Sequence, residues 1–414
     1  VASEVDTFHA AAIDGLSDRF LPQTRQAGRA RKELSAGAND IRQMRMIDVV
    51  KRDLQLFNYD TRGSRRDEDI AAHWLAMGGR VTVPCGIDGT GSAQSAANFP
   101  NLLSGLAGKM LDQAIELSEA TYTIWTGRLE DIADLKPKLI VAAGGLDKLD
   151  QIGDDDKAPQ LTFTEETPGW IQIDRYANKV GLTAVMVAND DLDAFSQALN
   201  GLGQAHERTL NGLCLGLITG NVTLLDGYAL FDDTYHLNDV TTGGGVPSSA
   251  QATVMKLKHR KQRGINNVGY VATPPAFALV PSTYEEAAEQ TFLSLAALVE
   301  AKVPVTDATL NVHRGKITPV VEPELEASSS AYWYTFADPA RRRTIVHAFM
   351  RGYGRGGRRT SWFDDDTETR YIRLEGRMAA AVAGYRGAVR NDGILLSLTF
   401  VKEHDRDGKL SRIV

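Results

Sequence analysis

The clearest helix in the chain is also its strongest constraint. Asn189-Asp190-Asp191 offers short side-chain oxygens to the first orphan N–H groups of a helix. Leu192, Phe195, Leu199 and Leu202 then recur at spacings of three and four, and Leu210, Leu213 and Leu217 continue the series. Thr219-Gly220-Asn221 supplies the stop. A helix over this stretch is on the order of 40 Å long at about 1.5 Å per residue.

What surrounds the helix is less self-sufficient. Residues 135–187 are polar, with short β-type runs at Leu139-Ile140-Val141, Leu161-Thr162-Phe163 and Trp170-Ile171-Gln172-Ile173. Gly153-Asp154-Asp155-Asp156-Lys157 reads as the turn cluster among them. Such a hairpin carries too little apolar material for a core of its own, so it is mobile or held by a neighbour. Residues 8–80 read as helical, with basic and acidic side chains mixed. Two readings stand for them: a solvated helical surface, or an arm lying on another subunit, because few apolar positions sustain a core-facing stripe. A Gly- and Ser-rich break from Gly86 to Ser95 separates them from a helix between Phe99 and about Trp125.

Residues 222–340 look like mixed α/β, with helices around 249–262 and 283–302, apolar runs at 277–280 and 308–312, and a loop at Gly243-Gly244-Gly245. The segment from Ala331 to Phe400 is β-rich, and within 341–377 ten arginines outnumber five acidic residues.

With 414 residues, 43% hydrophobic and 24% charged, the chain has material for two or three domain-sized cores and is no disordered polymer. No run approaches about 18 consecutive apolar residues, so no membrane-spanning helix is expected. The opening Val1-Ala2-Ser3-Glu4-Val5-Asp6 has neither a basic n-region nor an apolar h-region, so no secretory signal is read there. The net charge of −7 argues against a general nucleic-acid binder. Cys85 and Cys214 read as two buried thiols in preference to a long-range disulfide.

The search for catalytic motifs returns nothing. Gly352-Tyr353-Gly354-Arg355-Gly356-Gly357 matches the dinucleotide fingerprint in form, but Arg358-Arg359-Thr360-Ser361-Trp362 follows where an apolar helix is required. A Gly-rich turn between two strands is the expectation. There is no phosphate loop, no GxSxG elbow, and the eight histidines contain no i, i+4 pair for zinc. Asp154-Asp155-Asp156 and Asp364-Asp365-Asp366 are consecutive, so their carboxylates point apart and read as solvated turns. No catalytic residue, cofactor or metal is therefore expected. Arg341, Arg342, Arg343, Arg351, Arg355, Arg358 and Arg359 could meet phosphates or acidic patches on neighbouring copies; the second reading is adopted.

A long capped helix, a hairpin without support, a detached arm and no catalytic constellation need partners, and identical copies in a symmetric assembly are the economical ones. The stretch Val180–Phe195, with its Ala188-Asn189-Asp190-Asp191 junction, resembles the strand-to-helix passage of Mu-like head subunits of tailed bacteriophages. Ala97-Asn98-Phe99-Pro100-Asn101-Leu102-Leu103 is similar to that family's "SDFPNLL" segment. Leu225-Asp226-Gly227-Tyr228-Ala229-Leu230-Phe231, followed by Tyr235-His236-Leu237-Asn238, resembles its "DGKALF…HGN" signature, with Leu237 where glycine is expected. Trp362-Phe363-Asp364, Arg373–Arg377 and Ala380–Val382 are similar to the closing strands of the Hong Kong 97 coat fold.

The resemblance implies an α+β capsid fold of the Hong Kong 97 type. Residues 1–134 would be an N-terminal extension and arm, 135–182 an extended β-hairpin loop, and 183–225 a peripheral domain with the spine helix. Residues 226–340 would be an axial domain, 341–385 peripheral strands and 386–414 a C-terminal segment. The function implied is a major capsid protein forming pentamers and hexamers of an icosahedral head around double-stranded DNA. Its location is the virion, after assembly in the host cytoplasm. Partners implied are further copies of itself, a scaffolding segment and maturation protease, the portal, a decoration protein, and packaged DNA touched non-specifically, with no membrane. The absent initiator Met fits removal of the scaffolding segment, or trimming. Asp154, Asp155, Asp156 and Lys157 join the seven arginines as inter-subunit contact candidates. Lys136, Lys138, Lys148 and Lys157 match no cross-linking lysine of the family, so locking is expected to be non-covalent. An encapsulin-type shell and a mixed α/β enzyme with an overlooked site are the alternatives.

Overall fold

A computed structural model describes residues 2–20, 37–56, 59, 66–77, 100–118, 120–144, 164–189, 192–294, 311–329, 331–393, 403–404 and 410–412. The chain begins with helices α1 (Ala2–Phe20), α2 (Ala38–Arg42), α3 (Met46–Leu56), α4 (Asp67–Met77) and α5 (Pro100–Glu116). After α6 (Tyr122–Trp125) come strands β1 (Gly127–Arg128), β2 (Lys138–Gly144), β3 (Thr164–Ile171) and β4 (Asp174–Thr183), then α7 (Ala184–Ala188) and α8 (Leu192–Thr219). Next are β5 (Asp239–Val240), α9 (Ser249–Lys261), β6 (Pro275–Val280), α10 (Glu285–Phe292) and β7 (Thr318–Val321). The order then runs β8 (Trp333–Ala337), β9 (Ile345–Phe349), β10 (Arg358–Asp364), β11 (Thr369–Val382) and β12 (Ala388–Asn391).

The chain divides into two compact units. The first comprises Val1–Ala120, Asp174–Thr209 and Phe349–Met378. In α3, Met46, Ile47, Val49, Val50 and Leu54 return to one face and are buried, and Ile70, Ala71, Trp74 and Leu75 do the same in α4. They share a core with Leu16, Leu106, Met110, Leu111, Val187, Phe195, Leu199, Ile372 and Leu374. Within it, the fully buried Asp53 carboxylate accepts the indole N–H of Trp74 at 2.9 Å and Nε2–H of His9 at 2.8 Å, which ties α1, α3 and α4 together. This corrects the expectation of an arm without a core-facing stripe. α3 and α4 are too short for more than about three turns of pattern, and charged residues such as Lys51 and Arg52 fill the gaps between the apolar ones.

Below these helices lies a sheet in which β11 pairs antiparallel with β10 on one side and β4 on the other. The β4 register runs from Asp174↔Met378 to Thr183↔Thr369. Residues 174–182 therefore form a central-sheet strand, and the extended loop expected over 135–182 ends before them. Gly203 lets α8 approach α5 closely, since a Cβ there would stand 2.6 Å from Cβ of Ala114.

The second unit comprises Thr121–Ile173, Leu210–Ala348 and Ala379–Val414. Its main sheet has the order β5-β12-β8-β6-β7. Every residue of β8 is buried, as a continuous apolar run in a central strand should be. α9 and α10 contribute Ala252, Met255, Ala288 and Phe292 to a core with Ala278, Val280, Trp333 and Val389. β12 comes from the segment assigned to 386–414 and lies inside this sheet, a pairing across roughly fifty residues that no local pattern announces. β1 pairs in parallel with β9. α10 ends at Phe292, and residues 295–310 of the expected 283–302 helix and 308–312 run lie outside the described residues.

Candidate functional site: surfaces left for neighbours

The hairpin of β2 and β3 leaves large apolar side chains uncovered among the described residues. Leu139 stands opposite Trp170 across the ladder, and both are exposed, at 65% and 52%. Val141, two residues along, is exposed as well. Farther along the ladder, where Glu166 stands opposite Ala142, β3 is pinned by an ion pair from the buried Arg386 to Glu166. Arg386 also donates through Nε to the carbonyl of Arg263 at 2.6 Å and through Nη2 to that of Gly264 at 3.3 Å. The N–H of Leu225 donates to the carbonyl of Pro168 at 3.2 Å, adding a loop to the same strand. The turn candidates Asp154, Asp155, Asp156 and Lys157 lie outside the described residues, as does Cys85. Cys214 is buried and free, and burial pushes its thiol up to about 12, which makes it inert.

The seven candidate arginines fall into two sets. In the first unit, Arg355 makes a two-pronged ion pair with the buried Glu207 at 3.0 and 2.8 Å, while its carbonyl accepts Nε2–H of His206 at 2.8 Å. Burial holds His206 below the ordinary imidazole range, against the pull of that hydrogen bond and of Glu207. Arg359 pairs with Asp112 of α5. These two arginines are thus engaged within the chain. Arg351 and Arg358 are exposed and form no ion pair among the described residues. In the second unit, Arg341 and Arg343 are likewise exposed and unpaired on the turn after β8, with Arg342 half-buried between them.

Sequence reasoning missed the arginines that surround Glu375. Its buried carboxylate receives Arg175 and Arg377, each at 3.0 Å, and Arg373 at 3.2 Å. Burial raises its pKa, but the hydrogen bonds from Arg377 and Arg175 win and hold it below the usual carboxylate range. Gly352, Gly354 and Gly357 all have positive φ, the Gly-rich turn between strands expected there. Among the described residues, no three His, Cys, Asp or Glu side chains converge where a metal could sit, and no helix is long and apolar enough to cross a membrane.

The loop after α8 is built on internal hydrogen bonds. Asn221, at φ 44°, accepts the N–H of Phe231 at 2.7 Å and donates to its carbonyl at 3.0 Å. His236 is buried, bonds to Asp226 at 2.9 Å and stacks on Tyr385 with ring centres 3.9 Å apart. The fully buried Asn238 accepts the N–H of Asp232 at 3.0 Å and donates to the carbonyl of Leu230 at 2.9 Å. Between those two fixed residues Leu237 is held at φ 54°, the left-handed region that suits glycine and costs a bulky residue roughly 1–2 kcal/mol.

Residues 166–391 match a family model described as phage capsid protein. No curated protein sequence matches the chain. Among solved structures, the virus-like particle from Pyrococcus furiosus is 7% identical, with a TM-score of 0.39 over 69% of this chain and 97% of that one. The capsid of Ralstonia phage GP4 is 12% identical, with a TM-score of 0.41 over 68% and 87%. The procapsid of bacteriophage JBD30 is 13% identical, with a TM-score of 0.38 over 76% and 85%.

Proposed function

This chain belongs to the phage capsid protein family, and from that membership we propose that it is the major capsid protein, a subunit of Hong Kong 97 type that tiles pentamers and hexamers of an icosahedral head around double-stranded DNA. The observation that carries the reading is the β2–β3 hairpin, whose Leu139–Trp170 pair is exposed although Arg386 holds Glu166 farther along the same ribbon. A two-stranded ribbon is marginal alone, and burial of about 25 cal/mol per Å² of apolar surface is available to it only against another subunit. Each interface then need only be moderate, because many copies engage at once.

In this reading the role is structural, with no chemical step. The first unit supplies the peripheral part, with the N-terminal two thirds of α8 (to Thr209) as spine, the second the axial part, and residues 138–171 the loop that crosses to a neighbour. Arg341, Arg343, Arg351 and Arg358 serve as cationic contacts between subunits. Asp154, Asp155, Asp156 and Lys157 are proposed as contacts of the loop tip. The scaffolding segment, maturation protease, portal and decoration protein are partners at successive stages in the host cytoplasm, and the net charge of −7 lets DNA lie inside without sticking.

Electron microscopy of the purified full chain tests this. Uniform closed shells are expected, and Leu139→Ser combined with Trp170→Ser should abolish them while shifting the melting of the unassembled chain by less than about 0.5 kcal/mol, as exposed positions do. A wild-type chain that stays monomeric at all concentrations, with scaffold supplied, overturns the reading. Shells that enclose a protein cargo and never DNA would move it to an encapsulin-type compartment.

A further inference from the structure

The loop between α8 and β5 displays more apolar surface than its fold requires. Leu225, Tyr228, Tyr235 and Leu237 are all exposed within thirteen residues, at 54%, 37%, 58% and 48%. Tyr228 and Tyr235 stack on each other, ring centres 3.7 Å apart, and present a flat aromatic platform. Leu237 is the odd member. It sits at φ 54°, where a side chain is strained, and nearly half of it faces solvent. Single exposed leucines need no explanation, but one that is strained and unburied gains nothing inside the folded chain. His236 and Asn238 on either side are locked by hydrogen bonds, so the residue cannot relax. The loop is therefore organised to hold a leucine outward.

Charge identifies what it meets. Asp226, Asp232 and Asp233 lie in the same loop, with Asp226 and Asp233 exposed. The exposed Arg341 and Arg343, on the turn after β8, form no ion pair among the described residues. An acidic-rimmed apolar patch and a basic turn on one polypeptide complement each other between copies, and a heterologous contact of that kind forms a ring where its rotation closes and a filament where it does not. We infer that residues 225–237 dock on a second copy of this chain, with Leu237 as the buried anchor, Tyr228 and Tyr235 as the platform, and Arg341 and Arg343 of the neighbouring copy facing Asp233.

This rests on the self-assembly proposed above and adds the residues that decide ring contacts. The test is sedimentation of the full chain over a concentration series, with thermal melting of the unassembled protein. Leu237→Gly and Leu237→Ala should both need about tenfold more protein to assemble, the loss expected for one buried leucine per contact. Leu237→Gly should melt at or above the wild-type temperature, because glycine relieves the backbone. Arg341→Glu with Arg343→Glu should block assembly, and adding Asp233→Lys should restore it. Leu237→Gly assembling at wild-type concentration, or melting lower than wild type, overturns the anchor, and no restoration by Asp233→Lys overturns the arginine turn as its counterpart. If the wild type itself never assembles, self-assembly is what has failed.

Discussion

His259 in α9 has no exposed surface, and its Nε2 hydrogen-bonds the hydroxyl of Thr335 in β8 at 2.9 Å, while Nδ1 has no partner among the described residues. Burial pushes its pKa down to about 3, with the Thr335 bond opposing. The native state thus keeps the ring neutral, whereas the unfolded chain takes up a proton near about 6.5. Stability is complete above that pH and falls as pH drops toward the native value, with a slope of about 1.4 kcal/mol per pH unit. His206 and His313 are lowered in the same sense, and Glu375 adds a loss further down, below the unfolded glutamate value. Urea unfolding at pH 7, 5.5 and 4.5 should show falling midpoints, and His259→Gln should lower the pH 7 midpoint while flattening the slope. A wild-type midpoint independent of pH would contradict this. In the sequence His259 is one of eight histidines with no ligand spacing. Its burial follows from α9 packing on β8, which no spacing reveals.

At the scale of elements, α8 was readable because repetition over seven turns makes its periodicity unmistakable, and it ends at Thr219 as Gly220-Asn221 suggests. The hairpin was readable in outline only. Its β-type runs locate β2 and part of β3, but the neighbouring residues 174–183 have the same polar, alternating character and belong to another sheet. What separates them is the ladder with β11, nearly two hundred residues downstream. The hairpin's anchorage has the same origin, since Glu166 and Arg386 meet only in the folded chain. Arg386→Ala leaves Glu166 without its cation and the Arg263 carbonyl without its Nε–H donor, so a loss of about 3 kcal/mol is expected. Amide exchange in β2 and β3 should quicken at the same time. Unchanged exchange there would show that the ion pair does not hold the hairpin.

For the whole molecule, charge leads to a prediction about DNA. A chain of net charge −7, if it encloses DNA as proposed, should not retain it: in a gel-shift titration at about 150 mM salt no complex is expected, and tight binding with a steep salt dependence would contradict the proposed wall. Composition, the period of α8 and the order of the resembling segments were enough to determine class, length scale and family, because each is local or cumulative along the chain. Packing decided the rest. The N-terminal helices close a core around Asp53, β12 enters the second unit's sheet, Arg355 and Arg359 pair within the chain, and Leu237 is held outward against its backbone preference. Each of these depends on which residues distant in sequence come within a few ångströms, and burial, ion pairing and strain exist only once they do.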